Sequence, residues 1–144
     1  MGINTSRIGR LLDNLEQSGA QQMLITDANS IYYLTGSMIQ SGSRLMALLV
    51  RKDGAHRLFL NQIFPVPEGL GIEVIRFSDT DNVDELIARH TDHTLALGID
   101  QKMPAGHLLA LQELNAGPAY RNTSGCLSAV RGQKDLQEQE KMRE

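Results

Sequence analysis

The chain has 144 residues, of which 41% are hydrophobic and 22% charged, and its formal net charge is -3. An acidic chain lacks the basic face of nucleic-acid and membrane-surface binders, so we expect neither partner. No apolar run approaches the roughly 20 residues of a membrane helix. The single cysteine, Cys126, excludes an internal disulfide and favours a reducing, cytoplasmic setting.

The beginning of the chain predicts a helix followed by a buried strand. Asn4, Thr5 and Ser6 are good helix N-caps, and Gly19 suits the C-terminal cap. The apolar residues between them recur at helical spacing, at Ile8, Leu11, Leu12 and Leu15. Residues 22–26 then form an apolar run of strand length.

Two adjacent tyrosines, Tyr32 and Tyr33, follow this strand. That much aromatic surface is seldom left in water, so we expect a short helical turn that packs against the core. The polar residues 36–44 come next, and their glycines and serines are typical of a loop. The pattern therefore predicts a loop that is pinned to the core where it starts.

The rest of the chain alternates between strands and helices. The patterns predict strands over residues 45–50, 57–60, 72–77, 94–99 and 119–121. One predicted helix follows Asn82 with Val83, Leu86 and Ile87, and another follows Pro104 with Leu108, Leu109, Leu111 and Leu114. Asp53-Gly54 indicates a hairpin between the first two of these strands. Together they predict an α/β fold with a mixed, largely parallel sheet of about six strands flanked by helices.

Catalytic and metal-binding motifs are scarce. The sequence has no G-x-S-x-G, no G-x-G-x-x-G and no P-loop, and we interpret Cys126 as a packed small residue. Asp27, Asp79 and Asp100 each follow a predicted strand. If these carboxylates cluster at the carboxyl ends of the strands, they could bind Mg²⁺ for phosphodiester hydrolysis, as in a nuclease. The competing interpretation is that each carboxylate caps the following helix or turn.

Three segments carry a resemblance to a known family. They are residues 29–36, NSIYYLTG, the apolar residues 45–50, and the pattern Arg131-x-x-Lys134-x-x-x-Glu138 near the end. In this order they resemble the N-terminal domain of the creatinase/prolidase family, which includes Xaa-Pro dipeptidases, Xaa-Pro aminopeptidases and creatinases. The resemblance covers essentially the whole chain and implies the same α/β fold, with a ribonuclease H-like arrangement.

The family resemblance implies a division of the chain into two parts. Residues 1–127 would form the N-terminal domain, and the charged residues 128–144 would begin a linker helix. That helix would lead to a C-terminal pita-bread catalytic domain beyond Glu144, with two divalent metal ions, Mn, Co or Zn. The resemblance therefore assigns no catalytic residue and no metal to this chain. From the residues alone, a frayed terminal helix remains an alternative for the tail.

The resemblance also implies a role for the loop over residues 36–44. Members of this family are commonly homodimers. In these dimers the loop of one subunit narrows the active site of the partner subunit and favours short, proline-containing peptides. The residues that match it here are Tyr32, Tyr33, Gly36, Ser37, Gly42, Ser43 and Arg44. The tyrosines would anchor the loop, and Gly36 would permit its turn. Many dipeptidase-like members have His-Glu-Arg where this chain has Gly42-Ser43-Arg44, so Arg44 is either a binder of the substrate carboxylate or a surface residue.

These expectations lead to one main functional hypothesis and two alternatives. The main hypothesis is a non-catalytic N-terminal domain of a metal-dependent Xaa-Pro peptidase, either a dipeptidase or an aminopeptidase, and this domain shapes substrate access and the dimer interface. Its partner would be its own C-terminal catalytic domain. The alternatives are a stand-alone α/β binding module without hydrolytic activity and a creatinase-like amidinohydrolase parent.

Overall fold

The computed structural model describes residues 3–39, 41–42 and 44–132. The helices in this part of the chain are α1 (Thr5–Gln17), α2 (Ala28–Thr35), α3 (Val83–His90), α4 (Ala105–Glu113) and α5 (Ser124–Gly132). The strands are β1 (Gln22–Ile25), β2 (Ala47–Arg51), β3 (Arg57–Asn61), β4 (Glu73–Phe77), β5 (Leu97–Ile99) and β6 (Tyr120–Asn122). Every strand predicted from the sequence is therefore present, with boundaries that differ by a few residues.

The strands form one sheet in the order β4-β3-β2-β1-β5-β6. Strand β2 is antiparallel to both β1 and β3, whereas β3 with β4, β1 with β5, and β5 with β6 are parallel. All strands except β2 therefore point in one direction, which confirms the mixed, largely parallel α/β fold. Their C-terminal ends share one edge of the sheet, which we call the carboxyl edge.

The two faces of the sheet are covered by different helices. On one face, Leu11 of α1, Ile31 of α2 and Val130 of α5 pack with Met23 and Ile25 of the sheet. The opposite face carries Leu24, Leu49 and Phe59, which pack with Ile87 of α3 and Leu111 of α4. Alternate residues of β1 thus enter different cores, as the period of a strand requires.

Helix α5 crosses the predicted boundary at residue 127. It begins at Ser124, and its Leu127 and Val130 are buried in the same core as α1. The described turns of α5 therefore belong to the packed domain. The rest of the predicted linker helix, residues 133–144, lies outside the described residues, and the division of the chain at residue 127 stays a prediction.

Gly98 lies at a close approach between β5 and the end of β6. A Cβ at Gly98 would lie 2.5 Å from Thr123 Oγ1 and 2.9 Å from Thr123 Cγ2. We expect Gly98→Ala to lower the free energy of unfolding by about 1–3 kcal/mol, because this crowding forces a shift in a packed site. Urea unfolding measures the change. The matched control is Gly106→Ala in α4, where a Cβ meets nothing within 4 Å. Equal effects of the two changes would contradict the packing argument.

The hairpin between β2 and β3 contains a histidine that is held neutral. Its Nδ1 accepts the backbone N–H of Arg51 at 3.1 Å. Partial burial lowers the pKa of His56 from 6.5, outweighing the opposite effect of the nearby Asp53 carboxylate. As the pH falls below 6.5, the imidazole of the unfolded state is protonated before that of the folded state. The free energy of unfolding therefore decreases until the pH also falls below the lower pKa of the folded state.

We expect this histidine to contribute to a loss of stability as the pH falls through its ordinary pKa of 6.5. His56→Asn keeps an acceptor near the position of Nδ1 but does not titrate near this pH. Urea unfolding at pH values above and below it should therefore show a shallower pH dependence for His56→Asn than for the wild type. Parallel curves for the two proteins would contradict the proposed role of His56.

Candidate functional site

The carboxyl edge collects the polar side chains that follow the parallel strands. Asp27 follows β1, Asn61 ends β3, Asp79 follows β4 and Asp100 follows β5. Because β2 runs in the opposite direction, the loop that precedes it, residues 36–44, arrives at the same edge. Ligands of α/β proteins commonly bind at this edge of the sheet. The polar residues there form two separate groups.

The first group joins the end of loop 36–44 to the ends of β3 and β4. Arg44 Nε donates to Asp79 Oδ1 at 2.8 Å, and Arg44 Nη2 donates to Asp79 Oδ2 at 2.9 Å. Asn61 Nδ2 donates to Asp79 Oδ1 at 2.7 Å, while Asn61 Oδ1 accepts the N–H of Ile63. Asn61 is 1% exposed, so a buried amide fixes the carboxylate that holds the guanidinium.

The charges of this group are stable over the physiological pH range. The hydrogen bonds from Arg44, followed by that from Asn61, lower the pKa of Asp79 to about 2. The carboxylate is therefore ionised above its ordinary pKa of 3.8, and the pair is lost only as the pH falls toward about 2. Within the described part of the chain, Nη1 of Arg44 has no hydrogen-bond partner. The edge of the guanidinium formed by Nη1 and the second hydrogen of Nη2 can bind a carboxylate.

Loop 36–44 starts at a left-handed residue, and one of its described side chains is buried. Gly36 ends α2 with φ 74°, and its N–H donates to the carbonyl of Tyr32 at 2.8 Å. The N–H of Ser37 donates to Thr35 Oγ1, and Ile39 is buried in the core. The turn at Gly36 thus has the backbone conformation that favours glycine.

The second half of this loop turns into Arg44. The N–H of Arg44 donates to the carbonyl of Ser41 at 3.0 Å, and Gly42 has φ 58°. A Cβ at Gly42 would lie 3.5 Å from the ring of Phe64, so the loop approaches the connection after β3. Ser43, which the sequence analysis included in the site, lies outside the described residues.

The two tyrosines before the loop have different surroundings. The guanidinium carbon of Arg7 lies 4.0 Å from the centroid of the Tyr33 ring. The hydroxyl of Tyr33 donates to the carbonyl of Val130 at 3.3 Å. Tyr33 therefore ties α2, and with it the start of the loop, to α1 and α5. Tyr32 is 47% exposed and lies at the surface.

The second polar group surrounds Asp100, which is 4% exposed. Its carboxylate accepts the N–H of Thr26 at 2.9 Å, the N–H of Asp27 at 2.8 Å and the hydroxyl of Thr26 at 2.7 Å. Asp27 caps α2 by accepting the N–H and hydroxyl of Ser30. A cleft of about 160 Å³ lies beside these residues and Arg131. Both carboxylates are thus used to join β1, β5 and α2.

The three carboxylates considered for a magnesium nuclease do not all come together, because only Asp27 and Asp100 lie side by side. Asp79 belongs to the group at β4, and three strands separate β4 from β5 in the sheet. Among the residues that the structure describes, no three His, Cys, Asp or Glu side chains form a group that could hold a metal ion. The competing interpretation, in which each carboxylate caps the following helix or turn, agrees with the hydrogen bonds of Asp27. Asp79 and Asp100 instead accept hydrogen bonds from residues distant in the sequence.

None of the helices in the described residues has both the length and the apolar character needed to cross a membrane.

Sequence reasoning missed the connection of Asn61 and Asp79 to Arg44. Arg44 and Asp79 are 35 positions apart in the chain. Strands β3 and β4 bring them together, with Asn61 opposite Phe77 in the parallel register. The signal in the sequence is a polar residue at the end of each of two successive apolar strands, but it requires the pairing of those strands to be known.

Comparison with known families gives a match over most of the chain. The sequence profile described as "Creatinase/Prolidase N-terminal domain" matches residues 7–133. Uncharacterized peptidases of Staphylococcus aureus are 32% identical over 81 residues, which cover 54% of this chain and 23% of those proteins. The chain therefore corresponds to a small part of these relatives.

Solved structures show the same fold. The creatinase/prolidase N-terminal domain of an X-Pro dipeptidase from Streptococcus pyogenes has a TM-score of 0.75 at 21% identity, covering 90% of this chain and all of that one (100%). A recombinant prolidase from Thermococcus sibiricus has a TM-score of 0.76 at 23% identity, covering 94% of this chain and 39% of that one. These likenesses, together with the profile match, confirm the resemblance found in the sequence.

Proposed function

This chain belongs to the creatinase/prolidase N-terminal domain family, and we propose that it is the non-catalytic N-terminal domain of a metal-dependent Xaa-Pro peptidase. The observation that carries the proposal is the profile match over residues 7–133. A second support is that the chain corresponds in fold to 39% of a prolidase chain, which leaves most of such a protein for a catalytic domain. The partner of this domain is then its own C-terminal catalytic domain.

In this proposal the domain shapes access to the catalytic site and contributes to the interface of a homodimer. Loop 36–44 ends at Arg44, whose side chain is 38% exposed at the carboxyl edge. A dipeptide substrate ends in a carboxylate, and a guanidinium binds carboxylates with two parallel hydrogen bonds. Arg44 thus favours short, proline-containing peptides by binding the C-terminal carboxylate. Gly36 and Tyr33 support the start of the same loop.

The chemistry of bond cleavage is assigned to the catalytic domain and not to this chain. The described residues offer no group of three metal-ligating side chains. In this proposal two divalent ions, Mn, Co or Zn, lie in the catalytic domain, where they would activate water for peptide hydrolysis. The single cysteine, Cys126, agrees with a cytoplasmic location.

A stand-alone binding module is the second candidate. It requires that this fold forms without a catalytic domain in the same chain. The streptococcal domain, of which this chain covers 100%, has this fold as a separate chain, although it is the N-terminal domain of an X-Pro dipeptidase. A creatinase-like amidinohydrolase parent also belongs to the same family, and the choice between these enzymes depends on residues of the catalytic domain.

The intact mass of the natural gene product separates the main proposal from the stand-alone module. The present sequence has a mass of 15.9 kDa. We expect mass spectrometry of the protein from its source cell to give a value well above this, because a catalytic domain follows. A natural product of this same mass would contradict the peptidase proposal and favour the stand-alone module.

A further inference from the structure

The pairing of Arg44 is more elaborate than that of an ordinary surface arginine. Its carboxylate partner, Asp79, is itself held by the amide of Asn61, which is 1% exposed at the end of β3. The other end of that amide accepts a backbone N–H, so the amide is fixed on both sides. The buried Asn61 thus holds Asp79, and Asp79 in turn holds the exposed guanidinium of Arg44 at the end of the loop.

The geometry leaves one edge of the guanidinium for a ligand. Asp79 occupies the edge formed by Nε and Nη2, and a guanidinium carries five N–H donors in one plane. The edge formed by Nη1 and the second Nη2 hydrogen remains, and it too matches the two oxygens of a carboxylate. One carboxylate can thus hold Arg44 from the side while another binds end-on.

We propose that Asp79 and Asn61 are positioning residues that hold Arg44 with its open edge ready for the C-terminal carboxylate of a peptide substrate. This inference rests on the proposed function. An unrestrained arginine loses side-chain freedom when it binds a ligand, which weakens binding. The Asp79 pair restricts Arg44 beforehand, and the buried Asn61 in turn restricts Asp79.

The test compares steady-state kinetics of the natural full-length protein and its Asp79→Asn variant on the dipeptide glycyl-proline. An amide cannot accept hydrogen bonds at both of its heavy atoms, so Asp79→Asn loses the two-point contact. We expect KM to rise roughly three- to tenfold with little change in kcat. Asp79→Glu, which keeps a carboxylate, should restore part of the loss.

A matched control lies at the opposite edge of the sheet. Asp53 holds Arg51 with the same side-on geometry, Nε to Oδ1 at 3.2 Å and Nη2 to Oδ2 at 2.7 Å. Asp53→Asn should therefore leave both kinetic constants unchanged. Equal effects of Asp53→Asn and Asp79→Asn would overturn the inference, because a general loss of stability would explain both.

Further outcomes separate this inference from the function on which it rests. A wild type that cleaves glycyl-proline, with an unchanged KM in Asp79→Asn, overturns the positioning role and leaves the proposed function intact. A lower KM in Asp79→Asn also overturns it, because Asp79 would then compete with the substrate. A wild type that cleaves longer Xaa-Pro peptides but not glycyl-proline overturns the inference alone, whereas a wild type that cleaves neither contradicts the proposed function as well.

A second readout needs no hydrolysis and uses the 144-residue chain. Carboxyl-carbon NMR can follow the titration of Asp79, whose pKa the Arg44 and Asn61 hydrogen bonds lower to about 2. We expect the measured pKa to rise toward its ordinary value of 3.8 in Arg44→Ala. An ordinary pKa in the wild type would overturn the inference, because the Arg44–Asp79 pair would then be absent in solution.

Discussion

Replacing Asp100 by alanine is expected to lower the free energy of unfolding by about 2–4 kcal/mol. This carboxylate is 4% exposed and accepts the backbone N–H groups of Thr26 and Asp27. Alanine would leave both donors without their acceptor where β1 passes into α2. Buried unsatisfied donors cost their full desolvation energy, which makes this change larger than the loss of an exposed hydrogen bond.

The matched control for this prediction is Asp100→Asn. The amide oxygen can accept the two backbone N–H groups, and the amide nitrogen can donate to the Thr26 hydroxyl oxygen. We therefore expect less than half of the loss seen for Asp100→Ala, measured by urea unfolding with linear extrapolation. A wild-type stability in Asp100→Ala, or equal losses in the two variants, would contradict this role of Asp100.

Replacing Arg44 by alanine is expected to reduce kcat/KM of the natural full-length protein for an Xaa-Pro dipeptide by roughly 10- to 100-fold. The physical reason is the loss of charge-assisted hydrogen bonds to the substrate carboxylate. The side chain pairs with Asp79 at the exposed carboxyl edge and not in a core. We therefore expect the unfolding free energy to change little, because exposed ion pairs contribute modestly to stability.

The control for Arg44→Ala is the same dipeptide with its C-terminal carboxylate converted to an amide. The neutral amide cannot form the charged pair, so wild type and Arg44→Ala should cleave it with similar kcat/KM. Arg44→Lys should retain only part of the preference for the carboxylate, because lysine lacks the planar pair of donors. If the variant loses as much activity on the amide as on the free dipeptide, Arg44 does not select the carboxylate.

The succession of strands and helices along the chain was readable from the sequence, but not every boundary was. The apolar run of residues 94–99 predicted a strand, whereas β5 comprises only Leu97–Ile99. Thr94 instead belongs to a turn, where its N–H and hydroxyl both donate to Asp92 Oδ1. A strand pattern cannot reveal such a competing local hydrogen bond.

Helix α4 shows a second limit of pattern reading. The sequence predicts a helix that carries four leucines, of which Leu111 is buried while Leu109 is 59% exposed. The helix is apolar around most of its circumference, so the sequence does not indicate which side meets the sheet. The packing against α3 and the sheet decides it.

The candidate site was only partly predictable for a different reason. Arg44 and the loop before it could be identified from the family resemblance, because the pattern is local in sequence. Asp79 and Asn61 join them through the pairing of β3 with β4. This contact depends on which strands are neighbours in the sheet, and a single sequence does not specify that pairing directly.

The most direct test of the central claim is hydrolysis of an Xaa-Pro dipeptide by the natural full-length protein with added Mn²⁺. We expect cleavage at the bond before proline, loss of activity on chelation, and no activity of the 144-residue chain alone. Cleavage by that chain alone would show that this domain is itself catalytic. A folded natural protein that fails to cleave such peptides with Mn²⁺, Co²⁺ or Zn²⁺ would contradict its assignment as part of an Xaa-Pro peptidase.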